Sequence, residues 1–285
     1  MSSDSQKTVA RPARFRGAGV HTGIDAELKI APAEADRGIV FVRSDLPGRP
    51  EIPAAVGEVS GTSRGTSLGP EGAGVKTVEH LLAVLSGLEI DNAVVEMNGP
   101  ELPMGDGSAL PFLKLVREAG IRLLPAARRF RTLNRPVALE TPEGIIAALP
   151  AGRLRIACAV AFSDPLLDAQ YRDLTLDPEV FARELAPART FGFYREALPL
   201  FQRGLIKGTS LDNTVVIGPG AVFSRGGLRF TDECVRHKIL DLLGDLVLLG
   251  GPLKATVVAI KPGHKLNVDF VRKLKEELNG AEQPD

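Results

Sequence analysis

The sequence predicts an α+β protein made of two related halves. Short β-like runs alternate with helical segments, and each half holds an apolar helix that carries a histidine. In both halves a strand with two consecutive valines follows that helix directly, which is the pattern of a duplicated unit. A proline and an arginine pair within residues 125–130 separate the two patterns. We therefore predict an N-terminal α+β domain of residues 1–127 and a C-terminal α+β domain of residues 128–285.

Hydrophobic periodicity assigns the elements of both halves. Alternation at period two or a short apolar run marks each strand, and apolar residues three and four positions apart mark each helix. We expect Thr77 to be the N-cap of the first helix, and Thr231 or Asp232 to cap the helix that carries His237. The predicted strands are residues 26–30, 38–42, 92–97, 135–139, 154–160, 213–217 and 255–260. The predicted helices are residues 76–88, 110–119 and 178–185, and a helix that follows residue 232 and runs to residue 249.

Composition excludes several classes of function. The 35 lysines and arginines balance the 35 aspartates and glutamates, so nothing favours long-range attraction to nucleic acid. The N-terminal residues are too polar for a signal peptide, and no apolar run reaches the roughly 18 residues of a membrane span. Cys158 and Cys234 lie far apart in the sequence and predict two free thiols in a reducing compartment. We expect a cytoplasmic protein with no membrane span and no nucleic-acid partner.

The four histidines, His21, His80, His237 and His264, are the first candidates for chemistry. His237 and Asp241 are four residues apart in a helical pattern, so the imidazole and the carboxylate lie on one face and could share a metal ion. Ordinary His–Asp pairs on helix surfaces have the same spacing. This pair alone therefore does not establish a metal site.

His80 supplies a second histidine from the other apolar helix. Two histidines and one carboxylate leave a coordination position open, as a catalytic zinc site requires. Glu79 adjoins His80 and could take a proton from the attacking water. The H-E-x-x-H signature of metalloproteases is absent, and the same ligands could hold Fe(II) for oxygen chemistry.

Three further residues could serve a reaction. His264 follows a predicted strand, where it could stabilise negative charge or protonate a leaving amine, or could be an ordinary surface-turn histidine. Lys238 could bind an anionic substrate or be solvated. His21 lies in a glycine-rich turn that does not match a phosphate-binding Walker sequence.

Eight motifs occur along the chain in the order of one known family. They are Gly19-Val20-His21-Thr22-Gly23, Thr77-Val78-Glu79-His80-Leu81, Gly87-Leu88-Glu89-Ile90-Asp91-Asn92, Asp106-Gly107-Ser108-Ala109, Ala188-Arg189-Thr190-Phe191-Gly192-Phe193, Val235-Arg236-His237-Lys238-Ile239-Leu240-Asp241, Gly244-Asp245-Leu246 and Gly263-His264. From Gly17 to about Leu274 the chain resembles the UDP-3-O-acyl-N-acetylglucosamine deacetylases, which are zinc enzymes of lipid A biosynthesis in Gram-negative bacteria.

The resemblance implies a fold and a metal centre. It implies two related two-layer α/β sandwich domains, each a small, mostly antiparallel sheet packed on helices with a small insert, and an active site between them. His80, His237 and Asp241 would bind Zn²⁺, and Glu79 would be the general base.

The resemblance also implies roles around the metal. His264 would be the cationic partner of the tetrahedral intermediate, Asp245 would orient it, and Thr190 would donate a hydrogen bond to the oxyanion. The residues implied to bind the substrate are Lys238, Phe191, Phe193 and His21.

Three positions depart from the family pattern. Gly65 stands where some members carry a cysteine beside the metal, Thr209 stands where Gly-Gly is common, and Cys234 replaces a bulky apolar residue. Gly65 and Thr209 could alter the rim of the site or the passage that would hold the acyl chain of the substrate. The sequence therefore does not predict the preferred acyl-chain length.

The predicted function is zinc-dependent hydrolysis of the N-acetyl group of UDP-3-O-(hydroxyacyl)-N-acetylglucosamine by a monomer, giving the free amine and acetate. Two rival hypotheses are an Fe(II) oxygenase and an inactive protein that only binds a lipid-linked sugar nucleotide. The filled catalytic positions favour the hydrolase.

Overall fold

The computed structural model describes residues 4–162, 167 and 169–281. The strands are β1 (Ser5–Val9), β2 (Ala13–Ala18), β3 (Asp25–Ala31), β4 (Ile39–Arg43), β5 (Glu51–Pro53), β6 (Val59–Gly61), β7 (Ser67–Leu68), β8 (Val75–Lys76), β9 (Ala93–Met97), β10 (Ile121–Ala127), β11 (Arg131–Thr132), β12 (Val137–Thr141), β13 (Gly144–Pro150), β14 (Arg155–Val160), β15 (Gln170–Thr175), β16 (Phe191–Phe193), β17 (Val215–Gly218), β18 (Ala221–Phe223) and β19 (Leu253–Ile260). The helices are α1 (Glu79–Gly87), α2 (Leu110–Ala119), α3 (Pro178–Val180), α4 (Tyr194–Gln202), α5 (Glu233–Leu246) and α6 (His264–Ala281).

Two sheets with the same strand order form the frame of the molecule. The first runs β2-β3-β9-β4-β5, and the second runs β12-β13-β19-β14-β15. The central strand, β9 or β19, is antiparallel to the neighbour on one side and parallel to the neighbour on the other. The remaining pairs in both orders are antiparallel. These sheets and the helices packed on them confirm the predicted α+β fold with mostly antiparallel sheets.

The segments that precede the two sheets in the chain also pair in the same way. Thr8 forms an isolated parallel bridge with Asn92, directly before β9. In the second half, β11 pairs in parallel with the first residues of β19. The two halves therefore repeat one topology. The boundary between residues 127 and 128 stays a prediction, and the outer ends of the predicted domains, residues 1–3 and 282–285, lie outside the described residues.

The central contact between the halves joins α1 and α5. Eight of the nine residues of α1 are buried, including Glu79 and His80, so this helix lies inside the core. A Cβ at Gly244 would lie 2.1 Å from the carbonyl oxygen of Glu79. Only glycine allows the two backbones to approach this closely, so the first residue of α1 is held against α5.

Each half also carries a small three-stranded insert. The first, β6-β7-β8, lies between β5 and α1 in the chain. The second, β16-β17-β18, includes α4 and precedes α5. Strand β1 pairs with β10 in a separate two-stranded sheet.

The predicted N-cap of α1 is wrong, and the N-cap residue predicted for α5 has the expected position but makes no capping hydrogen bond. Thr77 has a left-handed backbone with φ of 59°, and its hydroxyl donates to Glu101 at 3.0 Å, so α1 begins two residues later without a side-chain cap. Asp232 does precede α5, but its carboxylate accepts a hydrogen bond from Arg236 at 2.6 Å and does not cap the helix. In both places a side-chain partner competes with the helix end for the capping group.

Candidate metal centre

Helices α1 and α5 bring His80, His237 and Asp241 together. His80 Nε2 lies 3.6 Å from Asp241 Oδ1, and His237 Nε2 lies 3.3 Å from the same oxygen. One ligand atom from each residue lies within 4.8 Å of the others, and all three residues are buried. The two imidazole rings stand nearly perpendicular, with centroids 4.9 Å apart. The residues converge as a metal centre would require.

Hydrogen bonds direct two of these side chains toward the shared point. His237 Nδ1 donates to the carbonyl oxygen of Ala188 at 3.1 Å, which leaves Nε2 free to bind a metal. Asp241 Oδ2 accepts from Lys238 Nζ at 3.1 Å. Asp241 Oδ1 is buried and has no hydrogen-bond partner among the described residues. A buried carboxylate oxygen without a partner is costly, so a cation at this point would satisfy it.

Burial and nearby charge set the protonation of these ligands. Burial lowers the pKa of His237 to about 4, so the imidazole is neutral at pH 7. Burial would raise the pKa of Asp241, but the nearby charges, including Lys238 and His264, outweigh it and hold that pKa well below its ordinary value. A neutral imidazole and an ionised carboxylate are the forms that bind metals. The donor set therefore fits a divalent metal ion.

His264 and Asp245 form a second buried unit beside this cluster. His264 Nδ1 donates to Asp245 Oδ2 at 2.9 Å, and His264 Nε2 lies 3.9 Å from Asp241 Oδ2. Burial would lower the pKa of His264, but Asp245 and Asp241 outweigh it and raise the pKa to about 9. The imidazole ring is therefore a cation at neutral pH, and Asp245 fixes its orientation.

Two residues that the sequence analysis did not assign complete this unit. Thr66 Oγ1 donates to Asp245 Oδ1 at 2.6 Å, and Asn267 Nδ2 donates to Asp245 Oδ2 at 2.9 Å. Asn267 follows His264 by three positions on α6, a spacing that could have indicated a shared helix face. Thr66 had no such signal, because it lies 179 positions from Asp245 in the chain.

Glu79 is buried at the start of α1. Its Oε2 accepts the backbone N–H of Thr66 at 2.9 Å, and burial raises its pKa above the ordinary value. Thr66 therefore joins the Glu79 carboxylate to the Asp245–His264 unit. A Cβ at Gly65 would lie 3.0 Å from Glu79 Oε1, so this departure from the family pattern leaves extra space beside the carboxylate.

A cavity of about 460 Å³ opens over these groups. Every predicted site residue except Asp245 lines it, and Asp245 lies behind His264. The predicted residues on its wall are His21, Glu79, His80, Thr190, Phe191, Phe193, His237, Lys238, Asp241 and His264. Thr209, the second departure, also lines the cavity. Cys234 does not line it; burial raises the pKa of that thiol to about 12, so it is an unreactive part of the core.

The segment Ala188-Arg189-Thr190 is fixed by a buried ion pair. Arg189 Nε and Nη2 donate to the two carboxylate oxygens of Glu233 at 2.9 and 3.1 Å. The N–H of Thr190 donates to Gly107 O at 2.8 Å. The same segment therefore presents the Thr190 side chain to the cavity and the Ala188 carbonyl to His237.

Aromatic residues form one wall of the cavity. The rings of Phe191 and Phe193 lie 5.5 and 5.7 Å from that of Phe162. Lys238 Nζ lies 5.7 Å from the Phe191 centroid, so a cation faces this apolar wall.

A buried carboxylate holds the glycine-rich turn of His21. Glu101 is 1% exposed and accepts hydrogen bonds from the backbone N–H groups of His21 and Thr22 and from the hydroxyls of Thr22 and Thr77. A Cβ at Gly19 would lie 2.3 Å from that carboxylate, so the turn needs glycine there. Glu101 was not predicted, because its partners belong to other segments of the chain.

Comparison with known proteins decides the family. The family model described as UDP-3-O-acyl N-acetylglycosamine deacetylase matches residues 6–276. The chain belongs to this deacetylase family. Proteins named UDP-3-O-acyl-N-acetylglucosamine deacetylase from Myxococcus xanthus and Chlamydia felis are 42% and 43% identical to it. The alignments cover 97% and 98% of this chain and 88% and 99% of those relatives.

Membership of the deacetylase family confirms the predicted resemblance and the prediction of an enzyme that hydrolyses an amide. Within the described residues, no helix combines the length and the apolar character needed to cross a membrane. The individual roles of the site residues stay predictions.

Proposed function

We propose that the protein catalyses zinc-dependent hydrolysis of the N-acetyl group of UDP-3-O-(hydroxyacyl)-N-acetylglucosamine, giving acetate and the free amine, in lipid A biosynthesis. The names of relatives that align along nearly the whole chain support the substrate. The observation that carries the proposal is the convergence of His80, His237 and Asp241 beside Glu79 in one cavity. We propose a cytoplasmic monomer.

His80, His237 and Asp241 would hold the metal. A bound Zn²⁺ would supply a Lewis acid that lowers the pKa of water to about 7 and polarises the acetamide carbonyl. Two imidazoles and one carboxylate leave room for a further ligand.

Glu79 would accept the proton of the attacking water. Its burial and raised pKa suit a general base that works near neutral pH. The hydrogen bond from the Thr66 N–H to Oε2 fixes one oxygen of the carboxylate. Oε1, on the side of Gly65, would take the proton.

His264 and Thr190 would stabilise the negative charge that develops on the carbonyl oxygen. His264 is cationic at neutral pH and is held by Asp245, so it could also protonate the leaving amine. The Thr190 hydroxyl would donate one more hydrogen bond.

The remaining wall would bind the rest of the substrate. Phe191 and Phe193 would contact the sugar and the start of the acyl chain, and Lys238 and His21 would contact its polar groups. The absence of a side chain at Gly65 and the presence of Thr209 would shape the rim. We therefore propose that these two positions influence the preferred acyl length.

Glu79→Gln tests the assignment of the base. Glutamine keeps the size and the hydrogen bond to Thr66 N but cannot accept a proton, so acetate release should fall about 10²- to 10⁴-fold while bound metal is retained. Acetate release from 3-O-hydroxyacyl UDP-N-acetylglucosamines measures the activity. Elemental analysis of the same samples measures the bound metal.

Glu118→Gln, an exposed change on α2, is the matched control and should keep full activity. Near wild-type turnover of Glu79→Gln would contradict the assignment. Iron in place of zinc in the active enzyme would contradict the zinc proposal.

A further inference from the structure

Helix α4 exposes three large apolar side chains on one face. Tyr194, Leu198 and Phe201 are 63%, 66% and 60% exposed. They are spaced four and three residues apart, so they lie on one side of the helix. We call this surface the α4 face. Single exposed apolar residues are common, but a contiguous group marks an interaction surface.

The α4 face continues the apolar wall of the cavity. Ala197 and Leu200 of the same helix line the cavity. At 3.6 residues per turn, the five apolar residues of α4 occupy one continuous arc of about 160°. One edge of this arc faces the cavity, and the rest is the exposed α4 face. An apolar chain leaving the cavity along α4 would therefore meet no polar barrier.

The part of the chain that contains α4 carries an excess of positive charge. Residues 194–211 contain three cations, Arg195, Arg203 and Lys207, and a single carboxylate, Glu196. Glu196 is already paired with Arg64 at 2.7 Å. Within the described part of the chain, Arg203 and Lys207 form no ion pair. An exposed apolar stripe with adjoining cations has the chemistry of a helix that lies on an anionic lipid surface.

We propose that the α4 face docks on an anionic lipid surface, with Leu198 and Phe201 at the boundary between headgroups and acyl chains and with Arg203 and Lys207 against the headgroups. The use of this contact rests on the proposed function: an acylated substrate held in a membrane surface could enter the adjoining cavity without exposing its acyl chain to water.

A second copy of the chain fits the same face less well. A symmetric dimer through the α4 face would place the same patch on both sides of the interface, including Arg203 and Lys207. Like charges would then face each other across an apolar contact, which is unfavourable. Anionic headgroups would neutralise these charges.

Vesicle flotation with the full-length protein tests the proposal. The wild type should bind vesicles of phosphatidylcholine and phosphatidylglycerol, and bind phosphatidylcholine vesicles at least tenfold more weakly. The double variant Leu198→Glu/Phe201→Glu should lose at least tenfold in binding to the anionic vesicles. Lys207→Glu should weaken binding by at least fivefold.

Ile121→Glu is the matched control, because Ile121 is a 45% exposed aliphatic residue on β10, outside α4. It should bind vesicles like the wild type. All variants should keep the wild-type melting temperature, and acetate release from a short-acyl substrate in the absence of vesicles should be unchanged in the double variant.

Three outcomes would overturn the proposal: no binding of the wild type to anionic vesicles, equal binding to neutral vesicles, or equal binding of the double variant. Self-association that the double variant abolishes, without vesicle binding, would show that a second copy occupies the face. Vesicle binding by a protein without deacetylase activity would leave the docking proposal intact and contradict the proposed function.

Discussion

At the scale of single residues, Thr66 joins the Glu79 carboxylate to the Asp245–His264 pair. Its backbone N–H donates to Glu79, and its hydroxyl donates to Asp245 and lies 3.3 Å from His264 Nδ1. It is completely buried. One residue thus positions both the proposed base and the proposed cationic histidine, although it forms no hydrogen bond with His80 or His237.

Thr66→Val tests the role of the hydroxyl group separately from that of the backbone N–H. Valine has the same shape but leaves Asp245 Oδ1 buried without this donor, so the free energy of unfolding should fall by about 1–3 kcal/mol. We expect kcat for acetate release to fall about tenfold, which corresponds to roughly 1.4 kcal/mol. Chemical denaturation and steady-state kinetics measure the two effects.

Thr132→Val, at an exposed position of β11, is the control and should change neither quantity. A Thr66→Val protein with wild-type stability and kcat would show that the hydroxyl has no role in holding Asp245.

At the scale of elements, the close contact of α1 with α5 aligns the two helices that carry the proposed metal ligands. Gly244 allows the α5 backbone to approach the carbonyl of Glu79, one residue before His80. The Arg189–Glu233 ion pair fixes the segment that contacts His237 to the first turn of α5. The geometry of the candidate metal centre therefore depends on how whole helices and loops pack.

Gly244→Ala should disrupt this alignment. The new Cβ would lie 2.1 Å from Glu79 O, a backbone atom that cannot move away alone. We expect the variant to lose about 3 kcal/mol or more of stability, or fail to fold, and to bind less metal than the wild type.

Gly280→Ala on α6 is the control for Gly244→Ala. It makes the same substitution at a position where no atom lies within 4 Å of the added Cβ. It should stabilise the protein by up to about 1 kcal/mol, because alanine favours a helix over glycine. Equal melting temperatures for the two variants would contradict the proposed role of the helix contact.

The Glu184 carboxylate forms ion pairs whose contribution to stability depends on pH. Arg183 and Arg236 donate to its carboxylate and, with Arg172, outweigh burial and lower its pKa to about 2. Because the folded pKa lies below the unfolded value, the carboxylate stabilises the fold above about pH 4.5. This stabilisation is lost as the pH falls from there toward 2.

Glu184→Gln should therefore destabilise the protein at pH 7, and the difference from the wild type should shrink between pH 4.5 and pH 2. Denaturant unfolding at a series of pH values measures this. Glu118→Gln, on exposed surface, should show no such trend. A Glu184→Gln difference that is constant with pH would contradict the role of the charge.

At the scale of the whole molecule, the proposed metal centre joins the two halves. His80 comes from the helix after the first insert, and His237 and Asp241 come from the helix after the second. The two ligand-bearing elements occupy corresponding places in the repeated topology. A metal at this point would therefore connect the halves as well as serve catalysis.

Removal of the metal by a chelator should lower the stability of the whole protein. An ion present at about 1,000 times its dissociation constant adds roughly 4 kcal/mol, and its removal leaves Asp241 Oδ1 buried without a partner. Melting temperatures with and without chelator measure the loss.

His80→Ala, which removes one proposed ligand, should melt at the same temperature with and without the chelator. A wild type that does not respond to the chelator, or a variant that responds equally, would contradict the proposed ligand set.

The sequence alone predicted the α+β class, the duplicated helix-and-strand order and the three residues that converge at the candidate metal centre. Periodicity and the His237–Asp241 spacing are local, and the ordered motifs resembled one family. Tertiary structure revealed Thr66, Asn267 and Glu101 as supports of the site, and only Asn267 had a local signal, its spacing from His264. Their hydrogen bonds join segments whose proximity depends on the packing of α1, α5 and the inserts. The sequence did not predict that the Thr77 and Asp232 side chains leave α1 and α5 without a capping hydrogen bond. Distant and local side chains compete for one hydrogen-bonding group, and only the folded chain decides between them.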